Sequence, residues 1–294
     1  MLLRGVSPKG VRNHGKGQDM KEELTDIACN AERLAKLARV EILRMTSHAK
    51  ASHVGSALSV VDILSTLYAG GAKIRKDNVD AVDRDIVILS KGHAASALYS
   101  VLAIQQFFPL SYLHSYCDDG ALLGGHVTST GLNGVELSTG SLGHGLPYGV
   151  GIALARKLYG VAGSVFVVMS DGECDEGTTW ESALLANHHK LNNLTVIIDR
   201  NRIQSLGDTE KTLKLEPFKD KWEAFGWKAS EIDGHHYLSL ISTINENLSG
   251  PKVIIANTTK GSGVSFMENS VLWHYRSPNN AELESAVQEV LADK

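Results

Sequence analysis

Apolar residues recur at roughly helical spacing from residue 21 to 45, where Leu24, Ile27, Leu34, Leu37, Ala38, Ile42 and Met45 mark one face of a helix. A second helical stretch is expected over residues 59–68. The pattern then changes to short, almost continuous apolar runs separated by helical ones. Residues 85–90 read as a buried strand followed by a helix over 94–105. Residues 150–159 read as helical. A strand over 164–169 precedes a helix over 179–190, residues 195–199 form a third strand, and a helix over 238–248 precedes a fourth strand over 252–256. Apolar runs alternating with helices describe βαβ units, and hence an α/β fold with a parallel sheet covered by helices on both faces. No internal repeat or low-complexity linker divides the chain, so one domain is expected over residues 21–294. Residues 1–20 are rich in Gly, Lys and Arg without an apolar period. They read as a flexible lead and lack the apolar core of a signal peptide. The glycine-rich run 10–17 lacks the closing Ser/Thr and the preceding strand of a P-loop.

Composition narrows the function classes. The chain has 294 residues, 43% of them hydrophobic and 21% charged, which is the balance of a folded globule and not of a disordered chain. A net charge of −4 gives no electrostatic footprint for nucleic acid or an anionic membrane. No apolar run approaches the roughly 18 residues that cross a bilayer. Three cysteines without CxxC spacing argue against a disulfide framework or a zinc site and point to a reducing, cytoplasmic setting. The 28 glycines and 12 histidines are the unusual counts, and they direct attention to turns and to a polar site.

Ligands of open α/β sheets bind at the carboxyl ends of the strands. Here those ends read Ser90-Lys-Gly-His93, Ser170-Asp-Gly-Glu173, Asp199-Arg-Asn201 and, from Asn257 to Gly263, a Thr-, Lys- and Gly-rich run. Asp171 and Asn201 would converge if their strands are neighbours, and a carboxylate with an amide oxygen suits Mg²⁺ that also holds phosphate. The competing reading is an ordinary strand-to-helix turn in which Asp171 caps the next helix. His53, His93, His126 and His274 lie beside glycine or at strand edges, as expected of a polar cluster around a substrate. His188–His189 and His235–His236 are adjacent pairs that share no face, and read as solvent or packing residues. Glu173 and Glu176 are acidic residues before a helix. Cys174 has no evident base partner and receives no nucleophile role. The glycine loop 143–149 reads better as close helix–sheet packing than as a phosphate cradle.

Taken in order, these segments resemble the N-terminal half of transketolase, the pyrophosphate-binding domain of thiamine diphosphate enzymes. The resemblance runs over about residues 25–280. It is carried by SHVG (52–55), DRDIVILSKGH (83–93), GGH (124–126), STGSLGHGLPYGVG (138–151), SDGECDEG (170–177), IIDRN (197–201), DGH (233–235) and KGSGVSFMEN…WH (260–274). It implies that Asp171, Asn201 and the backbone carbonyl of Ile203 bind Mg²⁺, or Ca²⁺ or Mn²⁺ in its place. It implies that His93, Gly140, Leu142, Gly172, Glu173, Asn201 and His274 bind thiamine diphosphate. His53, His93, His126 and His274 would serve catalysis around the sugar, and Glu176 would link two cofactor sites across an interface.

Two departures from the family pattern are visible: Ser170 stands where a GDG turn has its first glycine, and His144 replaces a glutamine in GPLGQG. A full transketolase is about twice this length. The resemblance therefore implies the alpha subunit of a split enzyme, inactive without a pyrimidine-binding partner, in an α2β2 assembly acting on sugars or sugar phosphates. A specialised sugar pathway with an unusual acceptor, or a non-catalytic module of the same fold, are the alternatives.

Overall fold

The structure is a computed structural model, which describes residues 15–292 apart from Thr130 and Leu206. Most of the expected N-terminal lead and of the glycine-rich run 10–17 lies outside the described residues. The chain begins with α1 (Gly15–His48), which starts ahead of the expected periodic stretch, and continues into α2 (Val54–Thr66), prolonged by a π-helical turn Leu67–Gly71. Next come β1 (Ile86–Leu89), α3 (Ala95–Ile104), α4 (Gly145–Tyr159), β2 (Val165–Ser170), α5 (Gly177–His188) and β3 (Leu194–Arg200). A small hairpin of β4 (Ile203–Gln204) and β5 (Gly207–Asp208) leads to α6 (Thr209–Thr212) and α7 (Phe218–Ala224). The chain closes with β6 (Lys228–Asp233), α8 (Tyr237–Ile244), β7 (Lys252–Asn257), α9 (Leu272–Tyr275) and α10 (Asn280–Leu291).

Five strands form one parallel sheet in the order β1-β2-β3-β7-β6. Alternation along each strand sends side chains to opposite faces. Val87, Leu89, Phe166, Val168, Ile197 and Ile254 meet α1, α2, α3, α8 and α10 on one side. Ile88, Val165, Val167, Val196, Ile198 and Val253 meet α4, α5 and α7 on the other. Both faces are thus covered, which is why the strands read as continuous apolar runs.

The expected strands and the helices that follow them are present, with shifts of a few residues at their ends. The edge strand β6 was not legible. Its sequence, KASEID, is polar and half-exposed along its length, as suits an edge that must not pair with another chain. The expectation that no apolar stretch is long enough to span a bilayer is corrected. Val54–Gly71 is long and apolar enough by length and composition, and it is buried along almost its whole length as the central helix of one layer. Close packing also explains the glycine loop: a Cβ on Gly149 would lie 2.4 Å from Val167 Cγ2, so α4 sits directly on β2.

Candidate active site

The register places Ser170 opposite Asp199 across β2 and β3, so Asp171 and Asn201 emerge side by side at the carboxyl edge. Both are buried. The Asp171 carboxylate accepts from the Gly172 and Arg202 backbone N–H groups, each at 2.8 Å, and from Arg200 Nη1 and Thr209 Oγ1, each at 3.3 Å. Burial pushes its carboxyl above the usual range, against the pull of the Arg200 charge. The bond to Gly172 is the local capping contact of the competing reading, so this carboxylate both caps the turn and faces the site.

Asn201 Nδ2 donates to Ser59 Oγ at 3.2 Å and Asp199 Oδ2 at 3.3 Å, while Oδ1 accepts from Ile203 N at 3.1 Å. The amide cannot turn over without losing these bonds. Beneath it Asp199 pairs with Lys91, both fully buried, and accepts from the Ser59 and Thr258 hydroxyls. Burial works to raise the Asp199 carboxyl, but the Lys91 charge and these donors hold it below its usual value.

These residues open into a cleft of about 210 Å³. His53, His93, His126 and His274 stand around it, with His53 ring centroids 5.3, 5.6 and 4.9 Å from those of His93, His126 and His274. Burial, then the positive charge of neighbouring groups, pushes His53 down to about 4 and His274 to about 3, and His93 well below its ordinary value. These three rings are therefore neutral near pH 7, each with one donor and one acceptor nitrogen. His53 has φ 74°, a left-handed backbone of the kind stored at functional sites. Its N–H donates to the His274 carbonyl at 2.8 Å.

Gly140, Leu142, Gly172 and Ile203 also line the cleft, as expected. A Cβ on Gly172 would meet the Gln204 side chain at 2.9 Å, so a larger residue there would displace Gln204 from this wall. Glu173 and Glu176 are not among the lining residues. The Glu173 carboxylate is fully buried and accepts from Gly143 N at 2.9 Å, from Ser170 N at 3.3 Å and from the Ser90 hydroxyl. It ties three loops together, which leaves it engaged with protein where cofactor contact was expected. Glu176 is exposed and precedes α5 without a side-chain cap bond. Of the two departures, Ser170 lines the cleft and His144 lies outside it, its Nδ1 3.0 Å from the Leu142 carbonyl.

Four lining residues were not anticipated: Ser56, Gln204, Ser205 and Lys260. Lys260 is the important one. Its Nζ donates to the Ile203 carbonyl at 2.9 Å and lies 3.0 Å from His274 Nδ1. Burial and the nearby Lys91 charge push it down to about 8. Its position just past a strand end, beside glycines, was the available signal.

The donor chemistry fits a hard cation shared with an anion. Among the described residues no group of three or more His, Cys, Asp or Glu side chains is placed to hold a metal. The Asp171 carboxylate, Asn201 Oδ1 and the Ile203 carbonyl instead offer three oxygens. That is too few to fill a coordination sphere alone, and it suits an ion that also holds phosphate oxygens. Lys260 supplies positive charge beside them.

A doubly covered parallel sheet with this oxygen set at its carboxyl edge suits a diphosphate-binding domain, and the chain belongs to the family described as "Transketolase, thiamine diphosphate binding domain", which matches residues 30–290. It is a transketolase-type transferase subunit of the split kind. It is 40% identical over 264 residues to an apulose-4-phosphate transketolase subunit of Actinobacillus succinogenes, covering 88% of this chain and 95% of that one. It is 35% identical over 274 residues to the 6-deoxy-6-sulfo-D-fructose transketolase subunit SqwG of a Clostridium species, covering 92% and 98%. The solved transketolase of Campylobacter jejuni superposes with a TM-score of 0.82 at 28% identity, covering 91% of this chain but 43% of that one. The chain thus spans less than half of the full-length transketolases it matches.

Proposed function

We propose that this chain is the alpha subunit of a two-chain transketolase that moves a two-carbon ketol unit from a ketose, or ketose phosphate, to an aldose. The observation that carries the reading is the convergence of Asp171, Asn201, the Ile203 carbonyl, Lys260 and four histidines in one cleft. Asp171, Asn201 and Ile203 would hold Mg²⁺, or Ca²⁺ or Mn²⁺ in its place. Lys260, His93, Gly140, Leu142, Gly172 and His274 would line thiamine diphosphate. When bound, that cofactor supplies the electron sink that lets a carbon–carbon bond beside a carbonyl break. The neutral rings of His53, His93 and His274, with His126 across from His53, are suited to hydrogen-bond sugar hydroxyls and to pass their protons.

Turnover would need a partner carrying the pyrimidine-binding half, in an α2β2 assembly. The subunit names of the similar proteins support a partner. So do the apolar side chains exposed on α4 and α5, namely Tyr148, Leu158, Tyr159, Leu184 and Leu185. A sugar phosphate is favoured because a relative is named for one.

The test is co-expression with the matching second chain, followed by a ketol-transfer assay with thiamine diphosphate, Mg²⁺, a ketose phosphate and a panel of aldoses. Turnover is expected only with both chains present. Asp171→Ala in the complex should abolish Mg²⁺–thiamine diphosphate binding, and retained wild-type affinity would sink the assignment.

A further inference from the structure

A second buried polar centre lies outside the cleft, around Asp62 in the middle of α2. Asp62 is 1% exposed. Its carboxylate takes both terminal nitrogens of Arg39, at 2.9 and 2.7 Å, the Tyr237 hydroxyl at 2.5 Å and His235 Nδ1 at 2.6 Å. On the far side of the imidazole, Nε2 lies 2.8 Å from the backbone N–H of Thr259. A backbone N–H can only donate, so Nε2 must be the unprotonated nitrogen and Nδ1–H must donate to Asp62. The two contacts select one neutral tautomer and fix the ring between a buried carboxylate and a loop amide.

That loop joins β7 to α9 and carries Lys260. Its other ties include Gly261 N to the Gly55 carbonyl at 2.9 Å, Thr258 N to the Arg200 carbonyl at 3.1 Å, Arg39 Nε to the Ser262 carbonyl at 3.1 Å, the Thr258 hydroxyl to Asp199 and Ser265 to Glu289. Arg39 thus reaches the same loop from the same buried centre. The Thr259 amide precedes Lys260 directly, and Lys260 in turn meets His274 Nδ1.

We propose that His235 is a positioning residue for the cleft: it transmits the fixed geometry of Asp62 to the Thr259 amide, and so sets Lys260 and, through it, the His274 ring. His235 is not among the residues that line the cleft. The inference rests on the reading of the cleft as a metal and diphosphate site, and its test separates the two.

Three variants of the full chain divide the roles of the ring. His235→Phe keeps bulk and loses both contacts. His235→Asn keeps a donor near Asp62 but is too short to reach Thr259. His235→Gln places an amide near the Nε2 position and can serve both. Two measurements apply to each: calorimetric binding of Mg²⁺ with inorganic pyrophosphate, and the ¹⁵N shifts of the His274 ring without ligand.

Phe and Asn should each weaken pyrophosphate binding about tenfold or more, the size typical of lost outer contacts around a metal site, and Gln should recover most of that loss. The His274 shifts should move in Phe and Asn and return toward wild type in Gln. Asn behaving as wild type while Phe does not would assign His235 a purely structural role at Asp62 and overturn the proposal. So would unchanged His274 shifts in both. Wild-type chain that binds no Mg²⁺–pyrophosphate would overturn the cleft reading instead, and the His274 shifts would then decide the role of His235 alone.

Discussion

His53 combines a left-handed backbone with a ring that resists protonation, and the second property has a readable consequence. Its ring titrates near 4 in the folded protein against an ordinary value of 6.5, chiefly because burial disfavours the charged form. Between those values the unfolded chain binds a proton that the folded chain refuses. Folding stability must therefore fall as pH drops from 6.5 toward 4. His274, near 3, steepens the loss in the same direction. Urea midpoints measured across this window should decline, and His53→Asn should decline less steeply. Asn removes the imidazole yet tolerates the left-handed backbone at φ 74°. An identical slope in that variant would rule out His53 as a source. At the same scale, Asp171 and Asn201 were legible because each sits just past an apolar strand, and the pairing of β2 with β3 supplies the convergence that the spacing left conditional. His235 was not: adjacency to His236 made it read as a solvent or packing residue, and only the fold brings Asp62 and Thr259 to its two nitrogens.

Elements meet at the carboxyl edge through charges that the apolar pattern does not show. Lys91 follows β1, Asp199 ends β3, and Ser56 and Ser59 lie on the completely buried α2. The Lys91 ammonium reaches both Asp199 and the Ser56 carbonyl, so one ion pair locks two strands to the central helix. Removing one partner strands the other charge in a dry interior. Asp199→Asn should cost about 3–5 kcal/mol of stability in urea unfolding, and pairing it with Lys91→Met should recover part of that loss. If the single variant is as stable as wild type, the pair is not the lock inferred. The strands β1, β2, β3 and β7 were legible because they are buried on both faces, whereas their order and register were not. β6 was not, since an edge strand has one open side and its polar positions resemble a loop.

At the scale of the molecule, the arrangement of α4 and α5 bears on assembly. Helix α4 leaves the loop that brings Gly140 and Leu142 to the cleft, and α5 follows the turn that brings Asp171 and Gly172. Each helix carries exposed apolar side chains, Tyr148 in the first turn of α4 and Leu184 and Leu185 in the second half of α5. A partner docking on these two helices would bury Tyr148, Leu184 and Leu185. These are 57%, 59% and 45% exposed in the single chain. Leu184→Asp with Leu185→Asp should leave the fold intact, because neither residue belongs to the core, and should prevent the two-chain complex from forming. Sedimentation of the co-expressed subunits would report this directly, and circular dichroism would confirm that the variant stays folded. Binding of Mg²⁺ and pyrophosphate to the full chain should survive the double substitution, because its donors lie on the strand ends and the Lys260 loop. Ketol transfer should not survive, because the proposed function requires the assembled pair. A variant that still assembles and turns over would move the interface to another face of the domain, whereas one that assembles but loses turnover would place these leucines in shaping the site.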